Sequence, residues 1–247
     1  MTTQHTVPEK GFPDLALADR LAIARAGTAH FGRFLASLTD AELDAACLLP
    51  GWTRKHLVAH VGYNAAAICR LIEWAQTGVE VPMYPSKDTR NEEISSGATL
   101  PAHALRNLFD HTAARLDEKW RNLPADRWDF EVKTIQGRTV PASETAWMRT
   151  REVWIHSVDL GNGARFADFP PEVTVSLIAD LCNHWRRNGT GADLRLVLPS
   201  GAVDVEPDFT GDRISIAGSS AGVLHWMCGR GNDELTEKTS ATAPRWL

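Results

Sequence analysis

GWTRKHLVAHVGYNAAAICRLIEWAQTG, residues 51–78, is the stretch whose reading decides the fold. Pro50, Gly51 and Trp52 make a turn, and Thr53 can cap a helix by accepting from a backbone N–H that has no partner within the first turn. Gly78 is a natural stop, because it takes a left-handed conformation without a steric penalty. Between these signals, Leu57, Val61, Ile68, Ile72 and Ala75 gather on one stripe when residues are set about 100° apart. The pattern predicts an amphipathic helix from Thr53 to about Gln76.

Further helices lie on either side. Residues 15–38 form an amphipathic run. Residues 101–122 follow with proline in the first turn and Pro124 beyond the end. Residues 142–160 form another, closed by Gly161-Asn162-Gly163. A short helical piece is expected near 91–95, and a hairpin over 131–140 around Gln136-Gly137. Four long helices with modest links predict a four-helix bundle. After Gly163 the texture changes. Residues 172–187 are helical, 194–198, 203–206 and 213–217 have strand character, and 219–228 form a last helix with serine at its start. The expected class is therefore α+β: a helical bundle over residues 1–165, then a small α+β domain over 166–247. The closing Pro-Arg-Trp-Leu should dock its tryptophan.

Bulk properties exclude several functions. The 247 residues are 43% apolar and 23% charged, with a formal net charge of −5. Lys and Arg are scattered, so no basic stripe offers itself to nucleic acid. No apolar run approaches the roughly 18 residues of a membrane helix. The polar amino terminus lacks the apolar segment of a signal peptide. A cytoplasmic, monomeric protein is expected. Cys47, Cys69, Cys182 and Cys228 form no CxxC pair and should be free thiols in a reducing compartment. Nine tryptophans against two tyrosines are expected mostly as core filler.

One constellation carries chemistry. His56 and His60 lie on the second long helix, Glu152 and His156 on the fourth. Residues four apart share a helix face and could grip one ion. His60 borders the apolar stripe beside Asn64 and Leu71, whereas His56 sits about 40° further towards solvent. His60 is thus the better ligand. Glu152, His156 and Asp159 fall within about 60° of one another, flanked by Met148 and Ile155. A carboxylate among apolar neighbours is expensive unless a cation neutralises it. Two imidazoles and one carboxylate are a catalytic zinc set with a fourth position to spare, although such sites accept other divalent ions. Asp159 is either an orienting partner of a ligand imidazole or a surface residue.

These motifs resemble a known family. Gly51-Trp52-Thr53 with His56-Leu57-Val58-Ala59-His60 resembles the second-helix signature of the DinB-like bundle superfamily. Residues 151–160, REVWIHSVDL, look like the metal-ligand helix of its mycothiol-dependent branch. Residues 90–94 (RNEEI), 136–145 (QGRTVPASET), Gly229-Arg230-Gly231 and the closing Pro-Arg-Trp-Leu are similar to the maleylpyruvate isomerases of that branch. The resemblance implies zinc on His60, Glu152 and His156, a catalytic Arg230 supplied by the second domain, and mycothiol as thiol cofactor. It also implies conversion of maleylpyruvate to fumarylpyruvate in gentisate breakdown. No residue is assigned to the mycothiol sugar.

The chemistry is self-consistent. A thiolate that adds to a conjugated alkene leaves a single bond free to rotate before the thiol is expelled. A Lewis acid stabilises the enolate oxygen that forms meanwhile. The substrate carries two carboxylates, and Arg230 between two glycines can offer a bidentate fork. Cys69 lies nine residues after His60, about 180° around the helix, so an external thiol is the better nucleophile. With zinc in one domain and Arg230 in the other, the expected site lies where the domains meet. Two other readings share the scaffold: a mycothiol S-transferase acting on electrophiles, and a metal-binding bundle without turnover.

Overall fold

A computed structural model describes residues 10–246. The chain divides into two compact units, one spanning Ala16–Ala164 and the other Arg165–Leu247 together with the segment up to Leu15. The expected first domain, 1–165, differs from this at its beginning. Phe12 is buried and donates its backbone N–H to Ser176 Oγ at 2.7 Å, so described residues 10–15 belong with the second unit.

The first unit is a helical bundle. Helix α1 spans Leu17–Ser37, α2 Arg54–Thr77, α3 Lys87–Gly97, α4 Ala102–Asn122 and α5 Thr145–Asp159. The long helices pack α1 on α5, α5 on α2, α2 on α4 and α4 on α1, closing a ring of four, with α3 against α2. Thr53 caps α2 by accepting from His56 N–H, and Gly78 ends it at φ 76°. The α1–α5 contact is close: a Cβ at Gly27 would lie 2.5 Å from Trp154 Nε1 and 2.6 Å from Val153 Cγ2. Glycine at position 27 is what lets the two helices meet. Seven of the nine tryptophans are buried, so the core-filler expectation fits most of them; Trp52 and Trp246 are half-buried.

Several boundaries move. Pro101 is the cap before α4 rather than a first-turn residue. Ala142–Glu144 is a tighter 3-10 turn, so α5 starts at Thr145. The short piece expected near 91–95 is the eleven-residue α3, started by Ser86 Oγ accepting from Thr89 N–H. Strands β1 (Glu131–Lys133) and β2 (Thr139–Pro141) form the expected hairpin, with Val132 opposite Val140.

In the second unit, α6 spans Pro171–Arg187 and α7 Ser220–Met227, the latter capped by Ser219. They accompany a three-stranded sheet in the order β4-β3-β5. Strand β3 is Leu194–Leu198, β4 Gly201–Asp204 and β5 Ile214–Ala217. The β3–β4 pair is an antiparallel hairpin and β5 runs parallel to β3. Helices and strands together make the chain α+β. Among the described residues, no helix is long and apolar enough to cross a membrane.

Candidate metal centre

The Thr53 cap sets where α2 begins and hence which way its side chains point. It also explains His56. The His56 Nδ1 accepts from Thr53 N–H at 3.3 Å and lies 2.8 Å from Thr53 Oγ1, a reciprocal cap that ties the ring to the helix start. One turn later His60 turns inward and is buried. On α5, Glu152 and His156 occupy successive turns of one face, and α2 packs directly on α5.

The structure brings the three expected ligands together. His60 Nε2 lies 2.9 Å and His156 Nε2 3.2 Å from Glu152 Oε2, and one ligand atom from each residue falls within 4.8 Å of the others. Ligand atoms about 2.0–2.2 Å from a tetrahedral zinc stand roughly 3.3–3.6 Å apart. The observed separations sit close to that range, and two imidazoles with one carboxylate are a suitable donor set. The residues fit a divalent ion.

Partners around the triad are equally specific. Asp159, fully buried, holds His156 Nδ1 at 2.8 Å. That decides between the two readings of Asp159: it fixes the imidazole with Nε2 facing Glu152. On the other side, Arg90 Nη2 of α3 donates to His60 Nδ1 at 3.3 Å. The Trp52 ring meets the His60 ring edge-on at 5.6 Å, and the two ligand imidazoles stand T-shaped at 5.0 Å.

Electrostatics follow from burial and pairing. Burial would push the Glu152 carboxyl up, but His60 and His156 hold it well below the usual carboxylate range. Burial also opposes charge on His156. The hydrogen bonds to Asp159 and Glu152 outweigh it and raise His156 to about 9. Burial lowers His60 against the pull of Glu152. His156 is therefore the ring of the pair that favours the extra proton, while burial disfavours one on His60.

Sequence reasoning left Arg149 without a role, and it is buried completely. Its Nη1 donates to Val61 O at 2.7 Å and Asn64 Oδ1 at 3.0 Å, a bolt between α5 and α2. Burial lowers it to about 10, partly offset by Glu152 one turn away. The signal was present: Arg149 is three residues before Glu152 and shares its face. Tyr84 is also buried beside this cluster, and burial pushes its hydroxyl up.

The expected catalytic Arg230 belongs to the second unit. It follows α7 between Gly229 and Gly231, which take φ of 72° and 122°, and its Nη1 donates to Cys228 O at 2.5 Å. Burial raises the thiols of Cys69 and Cys182, the latter to about 11.

Comparison with known proteins places this geometry. Residues 24–161, which include all three candidate ligands, match the mycothiol maleylpyruvate isomerase N-terminal domain. The chain belongs to the mycothiol-dependent maleylpyruvate isomerase family. A crystal structure of a mycothiol-dependent maleylpyruvate isomerase is 47% identical, with a TM-score of 0.92 over 96% of this chain and 100% of the other. The structure of a histidine-to-alanine variant bearing that enzyme's name gives the same identity, coverage and TM-score. YfiT from Bacillus subtilis, described as a probable metal-dependent hydrolase with an unusual four-helix bundle topology, is 13% identical with a TM-score of 0.50. The match covers 65% of this chain and 90% of YfiT, and it speaks for the bundle fold alone. No curated sequence matches the chain.

Proposed function

We propose that this protein is a zinc- and mycothiol-dependent isomerase that converts maleylpyruvate to fumarylpyruvate in gentisate catabolism, working in a reducing cytoplasm. The observation that carries the reading is the convergence of His60, Glu152 and His156 in a chain 47% identical to an enzyme of that name along nearly its whole length.

His60, Glu152 and His156 would hold the ion, Asp159 keeping the His156 ring in register. A divalent ion on two neutral imidazoles and one carboxylate retains a net charge of about +1, which favours thiolate over thiol and enolate over ketone. Mycothiol would supply the sulfur nucleophile: addition of its thiolate to the conjugated alkene would leave a single bond free to rotate, and expulsion of the thiolate would restore the alkene. Cys69 and Cys182 are poor candidates for that role, since burial raises both thiols and disfavours the thiolate. Arg149 and the helix contacts it bolts together keep the donor face of α5 turned towards α2. Arg230 provides a cation for one substrate carboxylate.

The test is direct. Purified protein with zinc and mycothiol should change the absorbance of maleylpyruvate, and omission of the thiol should abolish the change. His60→Ala should lose metal and turnover together. Arg230→Met should lose most isomerase turnover, whereas an S-transferase on the same scaffold would keep much of its own. Absence of thiol-dependent isomerisation in the zinc-loaded protein would overturn the reading.

A further inference from the structure

We infer that Arg90 binds a carboxylate of the substrate on the α3 side of the site, a role that rests on the isomerase reading above. Among the described residues, the Arg90 guanidinium hydrogen-bonds only to neutral groups: Nη1 donates to Asn91 Oδ1 at 3.2 Å and Nη2 to His60 Nδ1 at 3.3 Å. Its α3 neighbour Glu93 is turned to Arg70 instead, at 3.7 Å. Among the described residues, Arg90 has no carboxylate partner, although it lies against the ring of a candidate ligand.

Hydrogen-bond valence gives this cation its task. An arginine only donates, so His60 Nδ1 accepts from it with a lone pair, and the ring's single proton lies on Nε2, facing Glu152. An ion held by Nε2 requires that proton to sit on Nδ1 instead. Nδ1 then has nothing to accept with, and the Arg90 fork must find another acceptor. On this proposal one carboxylate of the dicarboxylate substrate is that acceptor, and a guanidinium–carboxylate pair can be bidentate.

The experiment uses full-length, zinc-loaded protein and succinylpyruvate, a saturated analogue to which no thiol can add. Calorimetry should show Arg90→Met binding it at least tenfold more weakly than wild type, with zinc content unchanged. Arg90→Lys should recover part of the affinity, because it restores the charge but not the fork. In turnover, Arg90→Met should raise KM for maleylpyruvate tenfold or more while kcat stays within about threefold. Zinc-replete Arg90→Met that binds the analogue as wild type does would overturn the inference. So would loss of zinc from that variant, since Arg90 would then serve the ligand shell rather than the substrate. Wild-type protein that binds the analogue but does not isomerise maleylpyruvate would overturn the isomerase reading and leave carboxylate binding by Arg90 to be judged from calorimetry alone.

Discussion

His156 lies between two carboxylates, with Nε2 3.2 Å from Glu152 and Nδ1 2.8 Å from Asp159. A ring in that position is a doubly donating imidazolium until about pH 9. On the proposed reading His156 would offer its Nε2 lone pair to the ion, so each ion bound below that pH would expel one proton. Apparent zinc affinity should therefore fall about tenfold per unit as pH drops from 8 to 6, as read by chelator competition at each pH. Without metal the same proton acts on folding with the opposite sense. The raised His156 contributes stability in full below its ordinary 6.5 and loses it as pH rises through about 9. Glu152, held low, contributes above its ordinary 4.5 and loses that as pH falls through its depressed value. Asp159→Asn keeps the shape but removes the anion that orients the ring. It should weaken zinc binding roughly 10–100-fold, and equal affinity for zinc would show that the contact does not tune the ligand.

At the scale of helices, α1 and α5 approach through Gly27. An added Cβ there would lie well inside contact distance of Val153 and Trp154, which sit between Glu152 and His156 on α5. Gly32, on the same helix, has its nearest neighbour at 3.4 Å from Phe109, an ordinary contact. Gly27→Ala should therefore lose about 1–3 kcal/mol in urea unfolding, whereas Gly32→Ala should gain up to about 1 kcal/mol from helix propensity. Equal effects would refute the close approach. The helices were legible because their signals are local: Thr53 and Gly78 flank α2 within the sequence itself. The His60–Glu152–His156 face followed from the same periodicity. What escaped reading is set by pairing across distance. Strand β4 starts at Gly201 because Arg195 pairs with Asp204 across the hairpin, and a run of apolar residues does not encode that register. Arg149 escaped because an arginine on a helix usually faces water, and its burial is offset by partners distant in sequence, the carbonyl of Val61 and the amide of Asn64, together with the nearby charge of Glu152.

For the whole molecule, the three donors all lie in the Ala16–Ala164 unit, contributed by two helices 92 residues apart between His60 and Glu152. An unfolded chain does not hold such donors together, so on the proposed reading zinc would bind the folded state and stabilise it by mass action. At a free concentration a thousand times Kd the gain is about 4 kcal/mol, which for a unit of this size moves the midpoint by roughly 8–16 °C. Calorimetry should show an endotherm that falls when a chelator is added and returns with zinc. In His60→Ala that movement should vanish, because the remaining pair grips the ion too weakly. Arg230→Met offers the contrast: with Arg230 proposed as a cation for substrate and not as a ligand, the variant should keep the full zinc-dependent shift while losing turnover. If zinc moves the midpoint of His60→Ala as far as that of wild type, the ion is held elsewhere and the triad is an ordinary buried ion pair. If Arg230→Met loses both the shift and the turnover, its effect is on folding, and the charge it carries has no separate part in the chemistry.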